Sequence, residues 1–501
     1  MGKFQKENSF ESVDNQGKEK DSFRANKIEA STPNDIINDR LTAFGGLLSL
    51  VKFFDVVKFE KIFQISFIEP SRKPRKGVYP MMVGLILLLF IGFSRLWHFK
   101  YLQTDPMLCG ILKVKKLCSP STYWRFLDSM GINQSASLLK CMALLRERVW
   151  QLCGFYFKEI HVDIDTTVET VYGDIEGARK GHNSQHRGKK ALRPILAFIE
   201  ETREYLHGDL RKGTTVSGKE FSKLIGSLHK SIPSFVEKVI LRADGEFISE
   251  DACSKAEEKG YEYIFANKRC TPTFKKNEWY SIDKKSGIEY NRCDYKPIGW
   301  SRSRRFVAMR IPKDKLGKDK SSDQLELFED NQYKYRIFVT TKKTKAHKII
   351  QGYDKRADCE NLVGESKREG LAAIPSKKFK NNRVFFQIIM LTFNISRYLK
   401  FFAAKANLEK NQANSHKEKI LSQGKVVEHP IVKNTARIFR LKMIFISAKI
   451  TFHGNRDQIK YSAHDNRIHE FKNLLDSLDS IRKEKRPWDF DDPWNPNRLV
   501  A

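Results

Sequence analysis

The spacing of apolar residues divides the chain into a helical first part and a strand-rich second part. From Leu41 to about Gly154 the apolar positions recur every three or four residues, as on amphipathic helices. Within this stretch "SPSTYWRFLDSMG" predicts a helix with Ser119 as cap, Pro120 in the first turn and Gly131 as terminator. A second helix is expected over residues 134–152. Two helices joined so tightly in a basic protein suit a helix-turn-helix that contacts DNA; ordinary bundle helices are the alternative. The segment "MMVGLILLLFIGFS" (81–94) is nearly all apolar, but Arg95, His98 and Lys100 follow at once. At about 14 residues it is shorter than the ~20 a membrane span requires, so a buried helix is expected.

The pattern changes at "FKEIHVDIDTTVETVYG", where alternation and β-branched residues predict a strand. Residues 193–201 and 203–213 predict two more, closely joined. "GKEFSKLIGSLHKSI" predicts a helix, "VEKVILRADGEF" a buried strand, "ISEDACSKAEEKG" a helix and "YEYIFANK" a strand. The order β-β-β-α-β-α-β implies an α/β (mixed α+β) fold with a mixed sheet covered on both faces. Short strand-like pieces ("EWYSID", "RRFVAMRI") and a loop ("KDKLGKDKSSD") interrupt the rhythm before a further strand at 333–342. A charged helix then precedes a strongly apolar one at 384–404. A polar linker (406–425), a hairpin within "MIFISAKITFHGNRDQIKYSA", a charged helix and a Trp/Pro-rich end complete the chain. The expected divisions are a disordered tail (1–40), a helical N-terminal DNA-binding domain (41–155) and a core in two parts (156–268 and 333–405). A basic insertion (269–332) separates the core parts, and a C-terminal region (406–501) serves dimerisation or DNA contact.

Charge narrows the partners. Lys and Arg number 91 against 60 Asp and Glu, a net of +31 in 501 residues. Such an excess calls for a polyanion, nucleic acid before an anionic membrane. Residues 268–320 alone hold 16 basic and 6 acidic side chains. Eight cysteines without a CxxC pair argue against a disulfide framework or a zinc knuckle and fit a reducing cytoplasm. His182 and His186 share an i,i+4 spacing but lack a companion thiolate, so no zinc site is expected there. The polar, mixed-charge first 40 residues do not resemble a signal peptide.

The chemistry follows from placement. Asp165 falls near the end of the first strand and Asp244 at the end of "VILRAD". If these strands are neighbours, both carboxylates project at one sheet edge, within reach of Glu360 on a packed helix. Three carboxylates without Cys or His make a hard-ligand set suited to Mg²⁺ or Mn²⁺. Two such ions could activate a water or 3′-hydroxyl and stabilise the leaving oxygen of a phosphodiester. Asp163 faces the same side of its strand as Asp165 and remains the alternative first acid. On the helix, Tyr353, Arg356, Glu360 and Lys367 fall within an arc of roughly 60°. Arg356 suits a bidentate phosphate contact, Lys367 a second phosphate, and Tyr353 a phosphate or a stacked sugar or base. A solvated polar face with local ion pairs is the other reading.

The spacing Y-x2-R-x3-E-x6-K in "GYDKRADCENLVGESKREG" resembles the signature of a large group of bacterial insertion-sequence transposases. These belong to the DDE superfamily with a ribonuclease-H-like catalytic core. "HVDIDTTVETVYGDIEGARKGHN" resembles the first-Asp block of one branch, "LRADGEF" the second, and "NNRVFFQIIMLTFNI" the apolar helix after the signature. "YLQTDPMLCGIL…SPSTYWRFL" resembles that branch's N-terminal region. The resemblance spans roughly residues 40–460. It implies Asp165, Asp244 and Glu360 as catalytic metal ligands for Mg²⁺, with Tyr353, Arg356 and Lys367 as DNA contacts. It also implies a β-rich insertion carrying a stacking aromatic, for which Trp279 and Trp300 are candidates. The implied activity is cleavage at terminal inverted repeats and joining to target DNA by a dimer in the bacterial cytoplasm, at the nucleoid. A metal-dependent nuclease on the same core, and a retired transposase that only binds DNA, are the rival readings. A membrane-surface protein built on 81–94 is a weaker third.

Overall fold

The computed structural model describes residues 28–181, 183, 186–213, 218–315, 332–413, 426 and 429–484. The expected loop at "KDKLGKDKSSD", most of the 406–425 linker, the Trp/Pro-rich end, most of the expected tail and His182 lie largely or wholly outside those residues. Residues up to Arg40 form a unit of their own, separate from Leu41 onward.

The second unit is built on a nine-stranded mixed sheet. Its strands in chain order are β1 (Glu159–Thr166), β2 (Ile195–Ile199), β3 (Glu204–Asp209), β4 (Lys238–Ala243) and β5 (Glu262–Ala266). They continue as β6 (Tyr280–Ser281), β7 (Glu289–Tyr295), β8 (Arg304–Pro312) and β9 (Tyr333–Thr340). Across the sheet the order is β6-β7-β8-β9-β5-β4-β1-β2-β3. β1, β4 and β5 run parallel, and every other neighbour is antiparallel. β2 pairs with β1 and β3 with β2, so the first three strands of this sheet form a meander, with a separate small sheet of three short strands (169–170, 179–180 and 190–192) inserted between β1 and β2. β4 and β5 return to run parallel to β1, with a helix before each, Gly218–Leu228 and Glu250–Glu258. The second helix is capped by Ser249, whose hydroxyl accepts from Ala252 N at 3.2 Å. The basic stretch does not fold apart from the core. Its strands β6–β8 pair onto β9 and lengthen the same sheet.

Helices bury the sheet's far edge. Phe379–Ala413 is one 35-residue helix, longer than the apolar run at 384–404 predicts. It packs on β3 and on the helices Val78–Phe90, Ile132–Cys153 and Ile468–Glu484. An edge strand leaves backbone groups unpaired, and here helix side chains satisfy them. Asn394 Oδ1 accepts from Tyr205 N and its Nδ2 donates to Tyr205 O, both at 2.8 Å. Gln387 Nε2 donates to Gly208 O at 2.9 Å. Glu204 is fully buried yet partnered: it accepts from Arg146 Nε at 3.0 Å, from Trp150 Nε1 and Thr202 Oγ1 at 2.8 Å each, and from the Tyr398 hydroxyl.

The expected helix pair exists as Pro120–Asp128 and Ile132–Cys153. Two details differ. The Ser119 hydroxyl bonds the hydroxyls of Ser121 and Thr122 instead of capping the helix backbone. Gly131 begins the second helix: its N–H donates to Gln134 Oε1 at 2.8 Å. Residues 141–150 of that second helix are buried without a break, so it has no free face along its middle to lay in a DNA groove. Its exposed positions, Ile132, Asn133, Ala136 and Lys140, are confined to its first half. The 81–94 segment lies in the buried helix Val78–Phe90, and no helix among the described residues is long and apolar enough to cross a membrane.

Candidate active site

The parallel register of β1 and β4 sets the first two acids. Asp163 stands beside Arg242 and Ile164 beside Ala243, so Asp165 and Asp244 are neighbours one step further on. Adjacent strands lie about 4.8 Å apart, and residues in register share a face. Both carboxylates are fixed by the turn that leaves the strand. Asp165 Oδ1 accepts from Thr166 N at 2.8 Å, and Asp244 Oδ1 accepts from Gly245 N at 2.6 Å.

The register also separates Asp163 from Asp165. The Arg242 guanidinium is fully buried and donates to both Asp163 oxygens, Nε to Oδ1 at 2.6 Å and Nη2 to Oδ2 at 2.7 Å. It also pairs with Glu200 at 2.7 Å and donates to Gly352 O at 2.6 Å. Asp163 is therefore committed to a buried pair that ties β1, β4 and the end of β2 to the helix above them. Arg242 is a residue the sequence reading missed. Its signal was present: "HVDID" and "LRAD" carry charge at alternate positions inside apolar strands, on the same face as Asp165 and Asp244.

The signature segment is not one continuous helix. It runs as Ala346–Asp354 and Ala357–Ser366, then a π-helical turn Lys367–Leu371. At the break the bonds tighten to i,i+3: Arg356 N donates to Tyr353 O at 2.9 Å and Cys359 N to Arg356 O at 2.8 Å. The single 60° strip expected from an ideal helix is thus corrected, and each residue takes its own place. Tyr353 packs its ring on Phe338, with centroids 4.6 Å apart, and its hydroxyl makes a long 3.5 Å contact to Ala243 O. Burial pushes its phenol up to about 12. Arg356 is buried, donating to Ile164 O at 3.1 Å and lying 3.3 Å from Asp165 Oδ1. Asp165 holds that guanidinium in its charged form against the pull of burial. Lys367 Nζ donates to Val168 O at 3.0 Å and faces Glu169 at 3.6 Å. Glu360 is exposed.

Burial raises the Asp165 carboxyl above its ordinary value; Arg356 and the Thr166 amide oppose this, while Asp244 and Glu360 add their repulsion. The three acids therefore share one electrostatic site. Positive charge reaches it from Arg356 at Asp165 and from Lys268, whose Nζ donates to Asp244 Oδ2 at 3.1 Å. An oxygen-only donor set under mutual repulsion is chemistry that fits a hard divalent cation. The three do not draw their oxygens within 4.8 Å of one another. Among the described residues the one group that does is His161, Glu200 and Glu201. That group sits four residues back along β1, and its members are already partnered: His161 Nδ1 lies 2.8 Å from Glu201, and Glu200 pairs with Arg242.

The two tryptophans proposed for base stacking are both partly buried and engaged. Arg310 covers Trp279 at 4.4 Å and Arg304 covers Trp300 at 4.9 Å.

Residues 35–438 match the family described as transposase DDE domain, group 1. Among curated proteins nothing matches significantly. Among solved structures, the piggyBac transposase synaptic complex with hairpin DNA aligns over 90% of this chain and 88% of its own, at 12% identity and a TM-score of 0.36. The Mos1 strand transfer complex aligns over 39% of this chain and 60% of its own, at 15% identity and a TM-score of 0.16. A Mos1 paired-end complex with the left transposon end gives the same coverage and score at 14% identity. These scores are too low to transfer any feature of the site.

Proposed function

The chain belongs to the DDE transposases of group 1, and on that premise we propose that it cuts and joins DNA at Asp165, Asp244 and Glu360. The observation that carries this reading is the convergence of Asp165 and Asp244 at adjacent parallel strand ends, beneath the helix that bears Glu360. The strand order 3-2-1-4-5 at one end of the sheet supports a ribonuclease-H-like core, with β6–β9 as its β-rich extension.

The three carboxylates would hold Mg²⁺, or Mn²⁺ in its place, and such ions supply activation of the attacking oxygen and stabilisation of the leaving one. Arg356 keeps the Asp165 carboxylate ionised and turned toward the site. Lys268 holds Asp244 in place by a hydrogen bond to its Oδ2. Glu360, exposed on its helix, is free to complete the ligand set on the side where DNA arrives. A net charge of +31 draws a polyanion to this edge. The substrates are the terminal inverted repeats of an insertion sequence and a target DNA, joined in a cut-and-paste reaction by a homodimer that holds two ends. Bacterial origin and a nucleoid location belong to the same reading. Tyr353, Arg356 and Lys367 remain the signature's candidate DNA contacts. In the free protein Arg356 and Lys367 bind protein groups, so their contact with phosphate would require exchange of those partners.

The test is cleavage of a supercoiled plasmid carrying the element's ends. Asp165→Asn, Asp244→Asn and Glu360→Gln should each abolish Mg²⁺-dependent cuts while leaving DNA binding intact. Full cleavage by any of the three would overturn the assignment.

A further inference from the structure

An aromatic groove lies beside the C-terminal end of the signature segment. One part, about 340 Å³, is lined by Ser94, Arg95, Trp97, Trp124, Ile374 and Pro375 among others. A second part, about 470 Å³, continues past Trp124, Ile374 and Pro375 to Lys377 and Lys378. No acidic residue lines either part. Its aromatic side chains are unusually open: Trp97 is 51% exposed, Trp124 40%, and the neighbouring Tyr101 72%. Trp97 makes T-shaped contacts with His98 and Tyr101 and still keeps half of its surface open. Arg95, Lys377 and Lys378 in its lining are exposed, and Lys378 is paired with Asp128 at 2.8 Å.

The groove is fixed to the catalytic segments. Its wall at residues 373–375 follows the π turn directly. Gly370, with φ 125°, lets that turn approach Ser94; a Cβ there would come within 3.2 Å of the serine Cβ. Its floor at Ile175 lies on the loop that leaves Asp165, where Glu176 N donates to Lys377 O at 2.9 Å. The wall begins 13 residues after Glu360 on the same segment.

Open indole faces among cations, with no acid in the wall, are the chemistry of a single-stranded nucleic-acid platform: bases stack on the rings and phosphates meet the basic rim. We infer that this groove binds unpaired nucleotides of a DNA strand, with Trp97 and Trp124 stacking on its bases. The inference rests on the proposed action on DNA but not on the triad's chemistry. It also gives DNA a fixed hold in a protein whose Arg356 and Lys367 are occupied by protein groups.

The test titrates the full-length protein, without divalent metal, with a blunt duplex and with the same duplex bearing a six-nucleotide single-stranded extension. The extended duplex should bind more tightly and quench tryptophan fluorescence. Trp97→Ala and Trp124→Ala should each weaken its binding about tenfold, leave the blunt duplex unchanged and cut the quench. Trp124→Phe, which keeps a stacking ring, should restore most of the loss. Equal losses on both DNAs, no loss on either, or a change in the protein's own association state on sedimentation would each overturn the inference. Asp165→Asn should keep the extension preference. If that variant cleaves normally, the catalytic reading fails while the groove stands; if tryptophan variants bind normally in a protein that cuts and joins ends, the reverse holds.

Discussion

Asp163→Asn and Asp165→Asn should fail in opposite ways, although the two acids are two residues apart on one strand face. Asp163 and Arg242 have side chains 4% and 0% exposed and share two short hydrogen bonds. Breaking a buried pair by removing one partner costs about 3–5 kcal/mol, because the surviving charge is stranded in low dielectric. Glu200 and the Gly352 carbonyl still face Arg242, which places the cost at the lower end, about 3 kcal/mol, or roughly 150-fold in the folding constant. Asp165→Asn loses the 3.3 Å pair with Arg356 but also relieves repulsion from Asp244 and Glu360. Its net cost should be smaller than that of Asp163→Asn, because that relief offsets part of the lost pair. Urea midpoints followed by tryptophan fluorescence and circular dichroism measure the first effect, and plasmid cleavage the second. Asp163→Asn should be much less stable yet cut DNA wherever it remains folded. Asp165→Asn should be clearly more stable than Asp163→Asn and inactive. Equal destabilisation by the two, or cleavage by Asp165→Asn, would refute the division of roles.

Burial pushes Glu169 up to about 7 from 4.5, against the pull of Lys367, so folding takes up a proton between those values. Stability should fall as pH rises through that window, and Glu169→Gln should flatten the slope; an unchanged slope in urea titrations would count against it. Lys400 behaves oppositely: burial, then Arg397, lowers it to about 7 from 10.5, so the unfolded chain holds the extra proton and stability should climb from pH 7 to about 10.5. Lys400→Met should flatten that climb, and an unchanged slope would contradict this. Asn394→Leu removes the partner of the Tyr205 N–H and one of two donors to its carbonyl, leaving Arg146 Nη2 on the latter, and should cost about 1–2 kcal/mol, with faster amide exchange at Tyr205; a neutral effect would mean that the N–H finds another partner.

The placement of Asp165 and Asp244 at neighbouring strand ends was legible because alternation inside a strand is a local signal, and "HVDID" and "VILRAD" each end on an acid where the apolar run stops. The meander followed by helix-linked strands was legible for the same reason. What escaped depends on contacts far apart in sequence. Asp163 looks equivalent to Asp165 until β4 sets Arg242 beside it, 79 residues away. The basic stretch reads as a separate insertion because its pairing with β9 is set across a long loop. The signature looks continuous because nothing local in "DKRAD" forbids a helix. The break coincides with Arg242 gripping the Gly352 carbonyl and Arg356 turning inward to Asp165 and the Ile164 carbonyl. The buried character of 141–150 was hidden by "RER", three charged residues that suggest a solvent face. Arg146 is instead spent on Glu204 and the carbonyls of Ser231 and Tyr205.

The central claim, that this site joins DNA as well as cutting it, is tested most directly with a pre-cut, 3′-labelled end, a target plasmid and Mg²⁺. The wild-type protein should transfer the label onto the plasmid, and Asp244→Asn should transfer none. Cleavage of uncut ends with no transfer from pre-cut ones, or transfer undiminished in Asp244→Asn, would contradict the account.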